Sequence, residues 1–466
     1  MSIATVAPGA IELAFSGRFG FGIYSWAYLP FDVPAGVQRI RVSTSHDDFA
    51  VGGLARNALD LGIFGPAGYD LGNAAGFRGW SGGARDGFVI SGTHATPGYL
   101  AGPIDPGVWA VALGPVVLSP WGMAWQVHVT MERGESVPRP VEGDPVVASP
   151  PPSVCGARWY RGDLHLHTVH SDGERHPDEL ASAARASGLD FIVSTDHNTN
   201  AANRAWPACS TGLLVIPGEE VTTRHGHWLA VGLSPRAWVD WRYGPRDGVF
   251  PRFAAEVREA DGLVVAAHPS VPLPGSAWEF GFADVDALEV WNGRWNVDDE
   301  LSLRIWQRLL RQGRRVAAVG GSDSHGKHQP VGSPQTVVHA GELSTPAIVD
   351  GLRCGRSYLA RSCDIALELT ASCPSGDGVA GPGQTMRVTP DGRVTVTAVI
   401  SGAPGTTVAL ITAAGCAGRA IVGSDRARLQ WELDAASARF ARLEVREAQR
   451  RPLGAMVALT NPVWLG

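Results

Sequence analysis

Several things are scarce in this chain, and each scarcity removes a class of function. Of its 39 basic side chains only one, Lys327, is a lysine, and with 45 acidic residues the formal net charge is -6. No basic face of the kind that tracks a phosphate backbone is expected, so nucleic acid is not an expected partner. No apolar run approaches the roughly 20 residues that span a bilayer. The opening M-S-I-A-T-V-A-P-G-A-I-E-L also lacks the basic and apolar regions of a signal peptide. A soluble cytoplasmic protein is therefore expected, with no membrane partner. The six cysteines (Cys155, Cys209, Cys354, Cys363, Cys373 and Cys416) are scattered without C-x-x-C spacing, which suits reduced packing residues better than disulfides or ligands. Oligomeric state is not legible.

Against these absences stands one dense feature. Ten of the 14 histidines fall between 165 and 328. The stretch Arg161 to Gly173 reads R-G-D-L-H-L-H-T-V-H-S-D-G, and an extended H-L-H puts His165 and His167 on one face, with Asp172 following in a Ser-Asp-Gly turn. Two imidazoles and a carboxylate converging at one strand end begin a metal site. Partners follow in order: Asp196 and His197 in S-T-D-H-N, Glu219 and Glu220 in P-G-E-E-V, His227 in H-G-H-W, His268 in A-A-H-P, and Asp323 and His325 in G-S-D-S-H. Most close a short apolar run that reads as a buried strand; His227 instead begins one.

The surrounding chain divides by composition. Residues 1–132 alternate as short strands broken by glycine and proline turns, which predicts a β-sandwich of jelly-roll type. Residues 133–157 are too proline-rich for a core strand and read as a linker. From 158 to 361, apolar runs at 163–168, 191–196, 213–218, 227–232, 263–267, 287–291 and 316–321 alternate with helical segments, among them one framed by Pro177 and Gly188 and another from Asp298 to Gly313. Seven βα units predict an α/β barrel whose strand ends converge on one mouth, where loops build the site. Residues 362–466 alternate again, predicting a second β-sandwich. Trp80, Trp109 and Trp125 suit a sandwich core better than a sugar-stacking face.

With H-L-H-T-V-H-S-D-G, S-T-D-H-N, G-E-E, G-H-W, A-H-P and S-D-S-H in this order, residues 158 to about 360 resemble the PHP (polymerase and histidinol phosphatase) superfamily. The three-part layout further resembles its CehA/McbA-type metallohydrolases. The resemblance implies a distorted (β/α)7 PHP barrel, flanked by the two β-sandwich domains, with two or three divalent metal ions, zinc, manganese or iron, at its mouth. Carried over by motif, one metal takes His165, His167, Glu220 and Asp323. A second shares Glu220 and adds His227 and His268. A third takes Asp172, His197 and Asp323 or His325. Glu219 is expected to orient a neighbour, Asp196 to hold an imidazole from behind, and His170 and His225 to be peripheral.

The chemistry expected of such a cluster is metal-dependent hydrolysis of a small-molecule ester, a phosphoester first, with a carbamate or carboxylic ester as the alternative and a catalytically silent binding module behind both. The one G-x-S-x-G match, Gly79 to Gly83, lies in the N-terminal β-region without the setting of a nucleophile elbow. Glu220 is expected to be the bridging carboxylate. Lys327, Arg161 and His328 are expected to assist a phosphoryl oxygen or leaving group. Trp291, Asn292, Arg294 and Trp295, with the Trp238 to Arg246 loop, are expected to set specificity.

Overall fold

A computed structural model describes residues 10–22, 25–47, 57–134, 156–273, 275–373, 378–388, 392–448 and 454–466. The expected linker at 133–157 therefore lies mostly outside the described residues, as does Cys155. The other five cysteines are free thiols.

Residues 11–133 form two four-stranded antiparallel sheets. Alternation in the sequence explains the layering. Leu59, Leu61 and Ile63 point inward with Ile40, Val42, Val127 and Val129; the alternate residues of the Ile40 and Val127 strands are exposed or half-buried, whereas Asp60 and Gly62 face the middle of the chain. Trp109 and Trp125 belong to this interior, as their apolar settings suggested. Trp80 faces the other way, into the large core shared with the middle of the chain.

The expected (β/α)7 barrel is not what the chain builds. Strand accounts for 43% of the structure and helix for 14%, and the middle of the chain is a curled half-barrel of sheet. Beside that sheet stand the helices Pro177–Ala186, Phe250–Glu259, Val297–Arg311 and Thr345–Arg353. Two of the four match the helical segments expected from the Pro177–Gly188 frame and the 298–313 periodicity. The shortfall has a physical cause. A parallel pair needs a crossover of a dozen residues or more, usually a helix, whereas an antiparallel pair needs only a tight turn. Leu214–Thr223 and Gly226–Val231 are joined by such a turn and pair antiparallel, and Leu263–Ala266 is antiparallel to the second of them. Gln335–Ala340 likewise runs antiparallel to Arg158–Asp163.

The sheet curls until its terminal strand, Ala317–Gly321, returns to the segment that follows Arg158–Asp163. Asp323 donates from its backbone N–H to the His165 carbonyl at 2.8 Å, and His167 donates to the Ser324 carbonyl at 3.2 Å. Gly321 permits this approach, because a Cβ there would lie 2.5 Å from that of His165. The strand expected at 163–168 in fact ends at Asp163, so His165 and His167 sit just past it. The C-terminal β-region is not separate from this sheet. Met456–Thr460 pairs with Ser357–Ala360, and the ladder continues through Phe440–Arg446 to Gly415–Ile421. A second layer of four strands packs on it around Leu367, Val396 and Leu443.

Candidate metal centre

Every histidine, aspartate and glutamate assigned to the metals by motif arrives at one place, where the curled sheet meets itself. His165 and His167 come from the segment after Arg158–Asp163, His197 from that after Phe191–Ser194, and His268 from that after Leu263–Ala266. Asp323 and His325 follow Ala317–Gly321. Glu220 and His227 lie across the antiparallel hairpin, which is why His227 begins a strand rather than closing one. His268 and Asp323 hold left-handed backbone, φ 26° and 48°, a costly conformation for residues with side chains that recurs at functional sites.

Donor atoms group in four overlapping sets within 4.8 Å: His165, His167 and Glu220; His165, His268 and Asp323; Glu220, His227 and His268; and His167, Asp172, His197 and His325. At the centre, His165 Nε2 lies 3.2 Å from Glu220 Oε2 and 3.4 Å from Asp323 Oδ1. His167 Nε2 lies 3.4 and 3.0 Å from the same two oxygens. All four atoms are buried, yet none makes a hydrogen bond. Buried polar atoms are almost always partnered, and leaving one unsatisfied costs about 1–3 kcal/mol. Two nitrogens and two anionic oxygens, near each other but not aimed at each other, are the donor set a divalent cation satisfies.

The electrostatics express the same crowding. Burial pushes the Glu220 carboxyl up, but the imidazoles of His197, His165 and His227 outweigh it and hold the group well below the ordinary glutamate value. Burial, then the neighbouring His197 and His325, drives His167 down to about 4. His197 goes the other way, to about 10, because Glu220 and Asp172 overcome its desolvation.

Several supporting residues were not legible. Glu289 accepts from His165 Nδ1 at 3.1 Å and from the His268 backbone N–H at 2.8 Å. It sits inside an apolar run, A-L-E-V-W, and a lone glutamate in a strand core was the available signal. Thr222 Oγ1 lies 2.5 Å from His197 Nδ1. Asp163 accepts from the backbone N–H groups of Ser322 and Gly332. Asp196 was expected to hold an imidazole; instead it accepts from Thr168 and Ser171, fixing the turn that carries His167. Glu219 accepts from the Val239 N–H.

The residues assigned to assist the reaction are not gathered with the metal donors. The Arg161 guanidinium donates to Gln335 Oε1 and the Ile365 carbonyl. The Lys327 ammonium sits 3.4 Å from Glu179, with both side chains about half exposed. His328 is exposed. Of the expected specificity residues, Asn292 donates to Asp323 Oδ2 at 3.2 Å, and it lines with Arg294, Trp295 and His325 a cavity of ≈ 810 Å³. Trp291 borders that cavity but is 1% exposed. The Trp238–Arg246 loop does not face the donors. Trp238 stacks on Phe77 at 4.3 Å and Trp241 packs on Trp80 at 4.4 Å, so the loop is the surface on which the N-terminal sheets rest. His225 pairs with Glu279 and His170 accepts from Gly98 N–H, both at the periphery. Ser81 of the G-x-S-x-G match is buried against the Tyr99 hydroxyl.

No family model matches the chain. An uncharacterised protein of Methanocaldococcus jannaschii is 25% identical over 154 residues, 28% of this chain and 81% of that protein. Among solved structures, the chain is similar to a two-domain protein from Bacteroides vulgatus described as containing a predicted PHP-like metal-dependent phosphoesterase, with TM-score 0.39, 17% identity, and coverage of 66% of this chain and 96% of that one. An amidohydrolase from Chromobacterium violaceum aligns with TM-score 0.28 and 20% identity, over 37% of this chain and 89% of the other. These likenesses are partial, and the reading of function rests on the site.

Proposed function

We propose that this chain is a metal-dependent hydrolase of the PHP type that cleaves phosphate esters. The observation that carries the reading is the convergence of buried, hydrogen-bond-free atoms on His165, His167, Glu220 and Asp323, ringed by His197, His227, His268, Asp172 and His325. Donors of this kind and number fit two or three divalent ions of the zinc, manganese or iron class. Ions held there would supply Lewis acidity, bringing the pKa of water near neutrality and offsetting charge on the ester oxygens.

The chain's own residues do the rest. Glu289, accepting from His165 Nδ1, leaves Nε2 with its lone pair toward the cluster, and the Thr222 hydroxyl restrains the His197 ring in the same way. Glu220 presents Oε1 to His227 and His268, and Oε2 to His165, His167 and His197, so one carboxylate serves both sides of the cluster. Asp172 and His325 are the donors most open to solvent, and they mark the side from which an ester enters. No hydroxyl or thiol nucleophile is needed.

The test is metal content followed by turnover. Protein purified without chelator is expected to carry at least two divalent equivalents and to release phosphate from 4-nitrophenyl phosphate. Glu220→Gln is expected to lower that rate by roughly a thousandfold or more, the scale on which removing a member of a catalytic unit acts, while the melting curve stays cooperative. Rapid hydrolysis of phenyl acetate or an aryl carbamate with none of the phosphate ester would move the reading to the carboxylic ester and carbamate class. Wild-type turnover in Glu220→Gln would remove it altogether.

A further inference from the structure

The donors border a second cavity, of ≈ 420 Å³, and half of its wall comes from a different part of the chain. Asp172, His197 and Arg224 line one side; Trp26, Asp60 and Ser81, all from the N-terminal β-region, line the other. This volume is in the range of small-ligand sites. Strand geometry explains how Asp60 comes to be there. Its neighbours Leu59 and Leu61 point into the sandwich interior, at 6% and 0% exposure, so Asp60 must project from the opposite face toward the metal donors. The Arg224 guanidinium lies 4.1 Å above the Trp26 ring and exerts the largest charge effect on Asp60. Burial lifts the Asp60 carboxyl to about 7, with Arg224 and His197 pulling against it.

We infer that the N-terminal β-region is a wall of the active site, and that its cavity takes the alcohol portion of a hydroxyl-bearing phosphate ester. The cavity offers what such a group uses: the Asp60 carboxyl to exchange hydrogen bonds with hydroxyls, a guanidinium that donates to them, and an aromatic wall for the carbon skeleton. The inference rests on the metal-dependent hydrolase reading for the position of the phosphate. It goes beyond that reading in naming what lies beside the phosphate. If Asp60 serves only as a counter-charge for Arg224 across the interface, its removal will alter stability and not selectivity.

The experiment is a binding comparison on the metal-loaded full chain, by calorimetry, with glucose 1-phosphate and cyclohexyl phosphate as probes. Both carry the phosphate on a six-membered ring, and the sugar adds hydroxyls, a hydroxymethyl group and a ring oxygen, all polar groups the cyclohexyl ester lacks. The wild type is expected to bind the sugar ester at least tenfold more tightly, because a site built to bond hydroxyls leaves polar groups unpaired when they are missing. In Asp60→Asn the preference is expected to fall by about tenfold through weaker sugar-ester binding alone. Metal content and melting temperature should match the wild type. Equal affinities in the wild type, no detectable binding of either probe, or an unchanged ratio in Asp60→Asn would each overturn the inference. Intact selectivity without phosphate release from any ester would count against the phosphoesterase reading and leave the wall in place.

Discussion

The two β-regions that flank the curled sheet are attached to it in different ways. On the N-terminal side no described strand pairs with a strand of the middle of the chain. Contact is made by side chains: Phe77 on Trp238, Trp80 on Trp241, and Arg242 reaching the Tyr28 hydroxyl from its pair with Asp240. On the C-terminal side the attachment is a backbone ladder, Ser357–Ala360 to Met456–Thr460, reinforced by Asn461. A ladder fixes register and spacing, whereas an aromatic face fixes area and can be re-cut one side chain at a time. The difference assigns the flanks different freedoms. The N-terminal wall can change what the ≈ 420 Å³ cavity admits, while the C-terminal region extends the scaffold and contributes Glu447, Ala455 and Met456 to the lining of the ≈ 810 Å³ cavity.

Substitutions that strike one attachment at a time sharpen this contrast. The largest expected effect is at Asp240, which pairs with Arg242 at 2.6 Å with side-chain exposures of 0% and 3% and also accepts from Gly72 N–H. Asp240→Ala strands a buried guanidinium and is expected to cost about 3–5 kcal/mol. In a denaturant titration the loss should come with an early step reported by the interface tryptophans. A single unshifted transition would mean that the N-terminal side is held by more than this face.

Asn461 tests the other flank. Its side chain accepts from Ala318 N–H at 2.7 Å and donates to the Ala318 carbonyl at 2.9 Å and Ser357 Oγ at 2.8 Å, fully buried. Asn461→Ala is expected to cost about 1–3 kcal/mol, shifting one cooperative transition without a separate step, because the ladder binds the region into the same unit. An early step here, read by circular dichroism, would show that the C-terminal region unfolds apart from the curled sheet. Smaller still is Trp238→Phe. It keeps a ring on Phe77 but gives up the indole bond to the Asn198 carbonyl, and about 1 kcal/mol is expected by chemical denaturation.

The smallest effect is expected at Lys327, which belongs to neither attachment. Its pairing with Glu179 is of the exposed kind worth about 0–1 kcal/mol. Lys327→Met should leave stability unchanged and phosphate-ester turnover within about twofold. A drop of tenfold or more would show that the ammonium leaves Glu179 for the substrate.

How far the sequence was readable follows from these geometries. The clustered histidines and carboxylates were legible because metal chemistry restricts residue type, so H-x-H, D-H, E-E, H-P and S-D-S-H stand out wherever the chain folds them. Their supports were not, because Glu289, Thr222 and Asp163 are ordinary residues whose role comes from contacts more than a hundred positions away in two of the three cases. Six of the seven strands expected in the middle of the chain begin within a residue of their observed starts. The first was placed five residues late, at 163 instead of 158, Gln335–Ala340 and Ser357–Ala360 were not anticipated, and strand directions were not read. A four-residue apolar run such as Leu263–Ala266 reads the same in a parallel or an antiparallel ladder. One sign was available: His227 began a strand when the other donors followed theirs. In a barrel of parallel strands that puts it at the wrong end, and only a strand running back corrects it.

The return of Ala317–Gly321 to the segment after Arg158–Asp163 has a mechanical consequence. That junction is narrow, a bridge between Leu166 and Ser324 with few backbone bonds. The donors straddle it, His165 and His167 on one lip and Asp323 and His325 on the other. An ion gripping both lips would act as a clasp, so that loading the site also fastens the fold. Backbone amides at 165–168 and 321–325 should then be the ones whose hydrogen exchange slows most when divalent cation is added, ahead of amides in either flanking region, since opening the curl would first require the clasp to be undone.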